Sequence, residues 1–310
     1  MPKILDCTLR DGGYINNWNF SSECAKDIIE SLKLSGVDFI EVGFYHHNLD
    51  GILPDDCSGL FAMVQFLKTP IQNIPNVDDS KIKGLRVIFK KNDSSNALKY
   101  CTEIKNRGYK LFINATFINQ YNDYELSQLI GKINKIKPYA FTITDSVGAF
   151  TSFDVKKICK IIESELDENI ALCFHSHNNL GLSFSNAKIV IEQIKTREII
   201  IDSTLYGMGR GAGNLRSEVI MEYLNKNGAN YNINPVLKMI DKYIIPHYKE
   251  NPWGYSIPYY LSALHKCHPD YAKDLIKRKI DLKRMDKIFS SIPYNKKDIY
   301  DSNLIFQKLI

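Results

Sequence analysis

The chain has 310 residues, of which 44% are hydrophobic and 24% charged, as in an ordinary soluble globular protein. Its net charge of +5 is small for this length and its lysines are dispersed, so nucleic-acid binding is not indicated. No stretch is long and apolar enough to span a bilayer, and no signal segment precedes the first strand. Seven scattered cysteines without a C-x-x-C pair favour a reducing compartment, and we expect a cytoplasmic protein.

Short apolar runs alternate with amphipathic segments of helical period, which predicts βα units and a parallel sheet. Seven runs are predicted strands, and they cover residues 3–5, 39–42, 85–89, 111–113, 140–143, 171–174 and 199–201. A (β/α)8 TIM barrel needs an eighth, which we place at 61–65, although these residues could also form a helix. A barrel is favoured over an open sheet because polar motifs follow nearly every strand, where barrel active sites are assembled.

Helices are predicted in the gaps between the strands, over residues 22–34, 94–107, 124–137, 154–166, 181–195 and 214–227. Thr151 and Asp154 have the spacing of a capping box at the start of one of them. Strand signals stop near residue 232, and the remaining chain is helical in pattern and rich in tyrosine. We therefore predict a barrel domain over residues 1–230 and a helical C-terminal extension, residues 231–310, that caps the barrel.

Two short motifs, far apart in sequence, each follow an apolar run: residues 6–14 (DCTLRDGGY) and residues 175–179 (HSHNN). Residues i and i+2 of a strand point the same way, so His175 and His177 can bind one metal ion. Asp11 would be the third ligand, or alternatively only a turn residue. Two imidazoles, one carboxylate and open positions suit Mn²⁺, Mg²⁺, Co²⁺ or Zn²⁺, and the sequence does not select one.

Further polar residues follow other strands. Arg10 lies beside the proposed carboxylate ligand, where its guanidinium could stabilise developing negative charge, or could instead form an ion pair with Glu41. Asp145 and Asp202 each end a later strand. Each of them could orient a metal ligand or contact a substrate.

Residues 207–214 (GMGRGAGN) form a glycine-rich loop that runs into a predicted helix. Exposed N–H groups such as that of Gly209, together with Arg210, could hold a carboxylate or phosphate at the helix N-terminus. The loop is not a P-loop, because the required Gly-Lys-Ser/Thr is missing, and it could also be only a tight turn.

Together these motifs resemble the DRE-TIM metallolyase (HMGL-like) family, which includes 4-hydroxy-2-oxovalerate aldolase, hydroxymethylglutaryl-CoA lyase and isopropylmalate synthase. The resemblance covers roughly residues 3–227, and the glycine-rich loop is most similar to that of the aldolase branch. It implies that Asp11, His175 and His177 hold a divalent metal, with Mn²⁺ the first expectation, and that Asn214 lies on or near it. It also implies that Arg10 binds the enolate oxygen or carboxylate of a pyruvate-like unit.

The extension carries a second likeness to the aldolase branch. Residues 254–259 (GYSIPY) are similar to a Gly-Tyr-x-x-x-Tyr stretch from which a tyrosine reaches the site. The resemblance therefore makes Tyr255 and Tyr259 candidates for the site, with ordinary helix packing as the alternative.

One departure from the family concerns proton transfer. The aldolase branch has an acid/base histidine three residues after the motif aspartate, whereas this chain has Tyr14. Either Tyr14 takes over this role or another group does, and His46 and His47, which follow the second strand, are the local candidates. Because the acid/base group helps to shape the aldehyde pocket, we do not assume 4-hydroxy-2-oxovalerate as the substrate.

The resulting hypothesis is a class II, metal-dependent aldolase that makes or breaks a C–C bond between the enolate of a pyruvate-like 2-oxo acid and an aldehyde. One alternative is a Claisen-type acyl-CoA synthase or lyase on the same metal site. Others are a non-catalytic metal-binding subunit and a metallohydrolase. Related aldolases pair with an aldehyde-consuming dehydrogenase, which makes such a partner an expectation, and the barrel bottom and the Tyr-rich extension favour a homodimer.

Overall fold

Eight parallel strands close into a barrel in sequence order in the computed structural model, which describes residues 1–47, 49 and 51–309. The first and last strands pair in register from Lys3 with Ile200 to Asp6 with Ser203, which completes the ring of strands. The TIM-barrel prediction is confirmed, including the strand predicted over residues 61–65. The strands are β1 (Lys3–Asp6), β2 (Phe39–Phe44), β3 (Leu60–Gln65), β4 (Gly84–Phe89), β5 (Lys110–Ala115), β6 (Ala140–Asp145), β7 (Ala171–Ser176) and β8 (Ile199–Ser203).

Six helices surround the barrel, close to the ranges predicted for them. They are α1 (Ser22–Leu34), α2 (Ser94–Asn106), α3 (Asp123–Ile136), α4 (Ser152–Glu165), α5 (Ser183–Gln193) and α6 (Ser217–Lys226). The last begins later than predicted, because Asn214 and Arg216 form β-bridges with His177 and Thr204. Between β2 and β4 the described residues contain no α-helix, and 3₁₀ turns at Ile71–Asn73 and Val77–Asp79 follow β3 instead. This missing helix explains why the third strand was hard to place from sequence.

The predicted capping box of α4 is present. The Thr151 hydroxyl accepts a hydrogen bond from the Asp154 backbone N–H at 3.4 Å, and the Asp154 carboxylate accepts one from the Thr151 backbone N–H at 2.8 Å. A second, unpredicted box opens α3, where Asn122 and Glu125 exchange equivalent bonds at 2.9 Å. Both boxes satisfy backbone donors that a helix start would otherwise leave unpaired.

The C-terminal part of the chain is helical, as predicted from the sequence. It contains α7 (Ile233–Met239), a π-helical turn (Ile240–Ile244), α8 (Ile245–Glu250), α9 (Ile257–Leu264), α10 (Pro269–Lys277), α11 (Leu282–Ser291) and α12 (Ser302–Leu309). Helices α9–α12 share an apolar cluster of their own, which includes Tyr271 and Phe289. Among the described residues no helix is both long and apolar enough to cross a membrane.

Several contacts join this extension to loops that follow barrel strands. Lys90 Nζ lies 3.1 Å from Asp298 Oδ2, and Arg210 Nη1 lies 3.4 Å from Asp270 Oδ2. The Trp253 indole N–H donates to the backbone oxygen of Tyr206 at 3.1 Å. These contacts bring the extension against the C-terminal ends of the strands. The division at residue 231 and the capping role stay predictions.

The barrel interior is built in two layers. The lower layer is an apolar cluster that includes Phe39, Phe61 and Phe112, with Phe61 and Phe112 in edge-to-face contact at 4.7 Å between centroids. Two residues further along β2 and β8, at Glu41 and Asp202, the inward-facing side chains become charged but remain buried. The strand period of two therefore stacks an ionic layer directly on an aromatic one.

Gly84 is fixed by the aromatic layer, which gives a stability prediction. A Cβ at this position would lie 2.4 Å from the Phe61 ring, so we expect Gly84→Ala to lower the free energy of unfolding by about 1–3 kcal/mol. The matched control is Gly131→Ala in α3, where a Cβ meets nothing within 4 Å and should stabilise the helix by up to about 1 kcal/mol. Urea denaturation followed by circular dichroism measures both, and equal stabilities would contradict this account of the packing.

Candidate active site

Three side chains that are far apart in sequence converge at the C-terminal ends of β1 and β7. Asp11 Oδ2 lies 3.4 Å from His175 Nε2, and Asp11 Oδ1 lies 3.8 Å from His177 Nε2. One ligand atom from each residue lies within 4.8 Å of the other two, and all three residues are buried or nearly so. This spacing allows one divalent ion to contact a carboxylate and two imidazoles at once.

Both imidazoles are held by the ring nitrogen that faces away from Asp11. His175 Nδ1 donates to Asp202 Oδ2 at 2.9 Å, and His177 Nδ1 donates to the backbone oxygen of Asp145 at 2.9 Å. Such bonds fix the tautomer of a histidine and leave Nε2 with the lone pair that a metal needs. The structure therefore orients both rings toward the same point.

Asn214 adds an oxygen donor to this group. Its Nδ2 donates to Asp11 Oδ1 at 3.2 Å and to the Met208 backbone oxygen at 3.0 Å, while its Oδ1 is buried and has no hydrogen-bond partner among the described residues. An unpaired buried oxygen is costly, and a cation would satisfy it. Gly209 permits this close packing, since a Cβ there would lie 2.2 Å from Asn214 Nδ2. The donor set of two nitrogens, a carboxylate and an amide oxygen fits a divalent metal.

A closed circuit of buried ion pairs underlies the candidate metal group. Arg10 Nε donates to Glu41 Oε2 at 2.5 Å, and Glu41 Oε1 lies 3.2 Å from Arg86 Nε. Arg86 Nη2 donates to Asp202 Oδ1 at 3.1 Å, Asp202 accepts from His175, and Asp11 contacts both His175 and Arg10. We call these six side chains the charge ring: Arg10, Glu41, Arg86, Asp202, His175 and Asp11.

The charge ring keeps Arg10, Asp11 and Asp202 ionised despite their burial. Burial would lower the pKa of Arg10, but the carboxylates of Glu41 and Asp11 outweigh it and raise that pKa above its ordinary value. Burial would likewise raise the pKa of Asp11, yet Arg10 and the two neighbouring imidazoles lower it well below the usual range. Burial would also raise the pKa of Asp202, but Arg86 outweighs it and lowers that pKa below the usual range. The group that would hold a metal is therefore a permanent anion.

A cavity of about 600 Å³ opens above the metal group. Arg10, Asp11, His175 and His177 form part of its wall, and Tyr14 and Arg210 are beside them. Polar side chains from other strand ends line it further: Gln65, Lys90, Asn114, Thr116, Thr144 and Ser146. Residues of the extension line another side: His268, Asp270, Asp298, Ile299 and Tyr300. Both parts of the chain therefore shape the space above the metal group.

Tyr14 and Arg210 are the predicted residues that reach the cavity besides the metal group and Arg10. The Arg210 guanidinium lies over the Tyr14 ring, with Cζ 4.1 Å from the centroid, and it also contacts Asp270. Burial raises the pKa of Tyr14, so its phenol keeps its proton at neutral pH.

The structure places other predicted residues behind the cavity wall. Glu41 is a member of the charge ring, and Gly209 packs against Asn214. The Asp145 carboxylate accepts backbone hydrogen bonds from Ala149 at 2.8 Å and Phe150 at 2.9 Å, and burial raises its pKa to about 7. Asp145 therefore shapes the loop after β6 and positions His177, and none of the three belongs to the described lining of the cavity.

Four further candidates also lie outside the described lining of the cavity. His46 is exposed, and the His47 ring contacts Trp18 edge-on at 5.3 Å between centroids. Tyr255 is 58% exposed. Tyr259 packs near Gly211, and burial raises its pKa.

Two functional candidates were missed in the sequence. Arg86 stands in an otherwise apolar strand, and an arginine buried on such a strand needs carboxylate partners, which was an available signal. His268 precedes α10 in a Cys-His-Pro-Asp stretch, and it reaches the cavity only because the extension folds back over the barrel. No sequence motif marks that return.

A TIM barrel with an Asp–His–His group beside a buried arginine at its strand ends has the arrangement expected of a barrel protein that binds a metal ion there. Residues 88–241 match the sequence profile of the family described as HMGL-like. The chain belongs to this HMGL-like family, and its DCTLRDG, HSHNN and GMGRGAGN motifs all lie at the site.

Relatives of this chain that are named as aldolases are low in identity but extensive in coverage. The 4-hydroxy-2-oxovalerate aldolase of Carboxydothermus hydrogenoformans is 28% identical over 73% of this chain and 71% of its own length. The 4-hydroxy-2-oxovalerate aldolase of Thermomicrobium roseum is 27% identical over 79% of this chain and 72% of its own length. Among solved structures, the N-terminal domain of a protein described as an aldolase from Bacteroides vulgatus aligns with a TM-score of 0.75 at 28% identity, covering 89% of this chain and 96% of that one.

Asp202 should control metal affinity through His175. We expect Asp202→Asn to weaken Mn²⁺ binding by about 10–100-fold, because the amide no longer fixes the His175 tautomer. Isothermal titration calorimetry measures the affinity for Mn²⁺. A melting curve measures how much stability is lost when Arg86 loses this carboxylate partner. The matched control is Asp241→Asn, at an exposed aspartate of the π-helical turn, which should bind Mn²⁺ like the wild type. Unchanged affinity in Asp202→Asn would show that the ion binds elsewhere.

Proposed function

We propose that this protein is a divalent-metal-dependent, class II aldolase that makes or breaks a C–C bond between a pyruvate-like 2-oxo acid and an aldehyde. The observation that carries the proposal is the Asp11–His175–His177 group with Arg10 fixed beside it in the wall of one cavity. The names of the aldolase relatives support the same reaction.

Asp11, His175 and His177 would hold the metal, with the unpaired Oδ1 of Asn214 as a further donor. A bound divalent ion would supply Lewis acidity at the 2-oxo acid, and Mn²⁺ is our first choice. Arg10 donates through Nε to Glu41 and through Nη1 to Asp11, which fixes the guanidinium plane. Its Nη2 can then donate to the oxygen on which enolate charge develops, and no reorganisation is needed during the reaction.

The reaction also requires a proton transfer close to the cavity wall that contains Tyr14. Cleavage removes the proton of the 4-hydroxyl group, and addition returns one to the oxygen of the former aldehyde. Because burial raises the pKa of Tyr14, its phenol is suited to donating a hydrogen bond rather than acting as a base. This favours Tyr14 as a donor within the site over His46 and His47, which lie outside the described cavity lining.

The size of the cavity bears on the aldehyde. A space of about 600 Å³ lies in the range of pockets that hold drug-sized ligands, well beyond pyruvate and a two-carbon aldehyde. Its polar lining includes Asn114, Thr116 and Ser146. We therefore propose a larger, hydroxylated acceptor.

A Claisen-type acyl-CoA synthase or lyase is the second candidate. The hydroxymethylglutaryl-CoA lyase of Bacillus subtilis aligns with a TM-score of 0.68 at 16% identity, over 82% of this chain and 97% of that one, a likeness of fold. Release of free thiol from an acyl-CoA would distinguish this reaction. A homodimer and an aldehyde-consuming partner enzyme stay proposals.

Proton exchange on pyruvate tests the proposed function without knowledge of the aldehyde. Protein with Mn²⁺ and pyruvate in D₂O should exchange the methyl protons, as followed by NMR, because the site stabilises the enolate. We expect Asp11→Asn to slow the exchange by at least about 100-fold. Metal-free protein should also fail, and the exposed-site control Asp241→Asn should match the wild type.

Two results would count against the aldolase. Exchange that is equally fast without metal or in Asp11→Asn would place enolisation outside this site. Absence of exchange in wild-type protein with bound Mn²⁺ would exclude pyruvate as the donor, and thiol release from acyl-CoA would then be measured.

A further inference from the structure

The extension contributes one histidine to the cavity wall, and its orientation is fixed. His268 immediately precedes α10, and its Nδ1 accepts a hydrogen bond from the Asp270 backbone N–H at 3.3 Å. Its own backbone N–H donates to the Lys297 oxygen at 2.7 Å. The side chain is only 13% exposed and lines the cavity that also contains Asp11 and His177. Both the ring and the backbone of His268 are therefore held in place.

The hydrogen bond to Nδ1 determines where the proton of this ring lies. A backbone N–H can only donate, and its 3.3 Å bond is shorter than the 3.6 Å separation of Nδ1 from Asp270 Oδ2, so we assign the lone pair to Nδ1 and the proton of the neutral ring to Nε2. Burial and the cation of Arg210 lower the pKa of His268 to about 4, against the opposing effect of Asp270. The positive charge of Lys90 and the neighbouring His177 act in the same direction as Arg210. The ring is thus neutral at neutral pH, with Nε2–H as its donor.

Within the described part of the chain this donor has no hydrogen-bond acceptor. Nε2 lies on the side of the ring away from the α10 backbone, and no described residue forms a hydrogen bond with it. A largely buried N–H in a cavity wall favours a ligand oxygen as its acceptor. Asp270 also contacts Arg210, which covers Tyr14, so the four side chains form one continuous wall.

We propose that His268 Nε2–H donates a hydrogen bond to the oxygen of the acceptor aldehyde and so stabilises the alkoxide that forms there. This assignment rests on the proposed aldolase function. It gives the extension a catalytic residue and places the acceptor between the barrel and α10.

In the direction of addition, the enolate carbon forms a bond to the carbonyl carbon of the aldehyde. The π electron pair of that carbonyl moves to its oxygen, which becomes an alkoxide and then takes a proton from water in the open cavity. His268 keeps its own proton throughout, since a neutral imidazole is a very weak acid. In cleavage, water takes the hydroxyl proton, the C–C bond electrons return to the enolate, and Nε2–H stabilises the same alkoxide beforehand.

The variant His268→Asn tests this assignment. Asparagine is a favoured residue before a helix, so it can keep the hydrogen bond from the Asp270 N–H while its shorter side chain withdraws from the acceptor. The matched control is His265→Asn in the same extension, because the His265 ring bonds Asp286 at 2.7 Å and lies outside the described cavity lining. Melting curves establish that both variants fold.

Two rates are measured with Mn²⁺ for each protein: exchange of the pyruvate methyl protons in D₂O, and addition of pyruvate to acetaldehyde, glycolaldehyde or glyceraldehyde. Exchange involves only the pyruvate end, whereas addition needs the acceptor oxygen. We therefore expect the ratio of addition to exchange to fall about 100-fold in His268→Asn, as on removal of one oxyanion donor, and to stay constant in His265→Asn.

A ratio within threefold of wild type in a folded His268→Asn protein would overturn the assignment of His268. Wild-type protein without metal-dependent exchange would instead contradict the aldolase itself. A second measurement, ¹⁵N NMR of the histidine rings, does not depend on the aldehyde. The ring signals that disappear in His268→Asn belong to His268. In the wild-type protein at pH 7 they should have the chemical shifts of a neutral ring with its proton on Nε2. An Nδ1–H or doubly protonated ring would overturn the assignment even if none of the three aldehydes reacts.

Discussion

The charge ring is the interaction on which the rest of the site depends. Two arginines, three carboxylates and a histidine are buried together in the upper half of the barrel, where an unpaired ion would be very costly. Because every member has two partners, removing one leaves a buried charge uncompensated, typically at a cost of about 3–5 kcal/mol. The circuit thereby fixes the positions of Asp11 and His175 before any metal arrives.

The ring also connects the fold to the chemistry. The aromatic layer around Phe61 supports it from below, and the alternation of side chains along β2, β7 and β8 brings carboxylates and a histidine to the same height. On its upper side, Arg10 and Asp11 face the cavity that the extension closes. One buried network thus supplies the fixed cation, the permanent anion and the oriented imidazole that the proposed enolate chemistry needs.

Sequence patterns predicted the parts of the molecule that follow local rules. Strand and helix periodicity gave the barrel, and the i, i+2 spacing brought His175 and His177 together. Arg86 was missed because its strand reads as apolar, although its partners come from β2 and β8. His268 was missed because its place depends on how α9 and α10 return over the barrel, a tertiary event without a local signature. His46 and His47 were proposed because they follow the second strand, and both lie outside the described lining of the cavity.

The central claim is that one divalent ion binds between Asp11, His175 and His177, beside Arg10. Anomalous diffraction at the manganese edge from a Mn²⁺-soaked crystal tests it most directly. The account predicts one strong peak within coordination distance of both Nε2 atoms and an Asp11 oxygen, roughly 2.0–2.3 Å away. A peak at any other set of side chains, with none at this group, would contradict it.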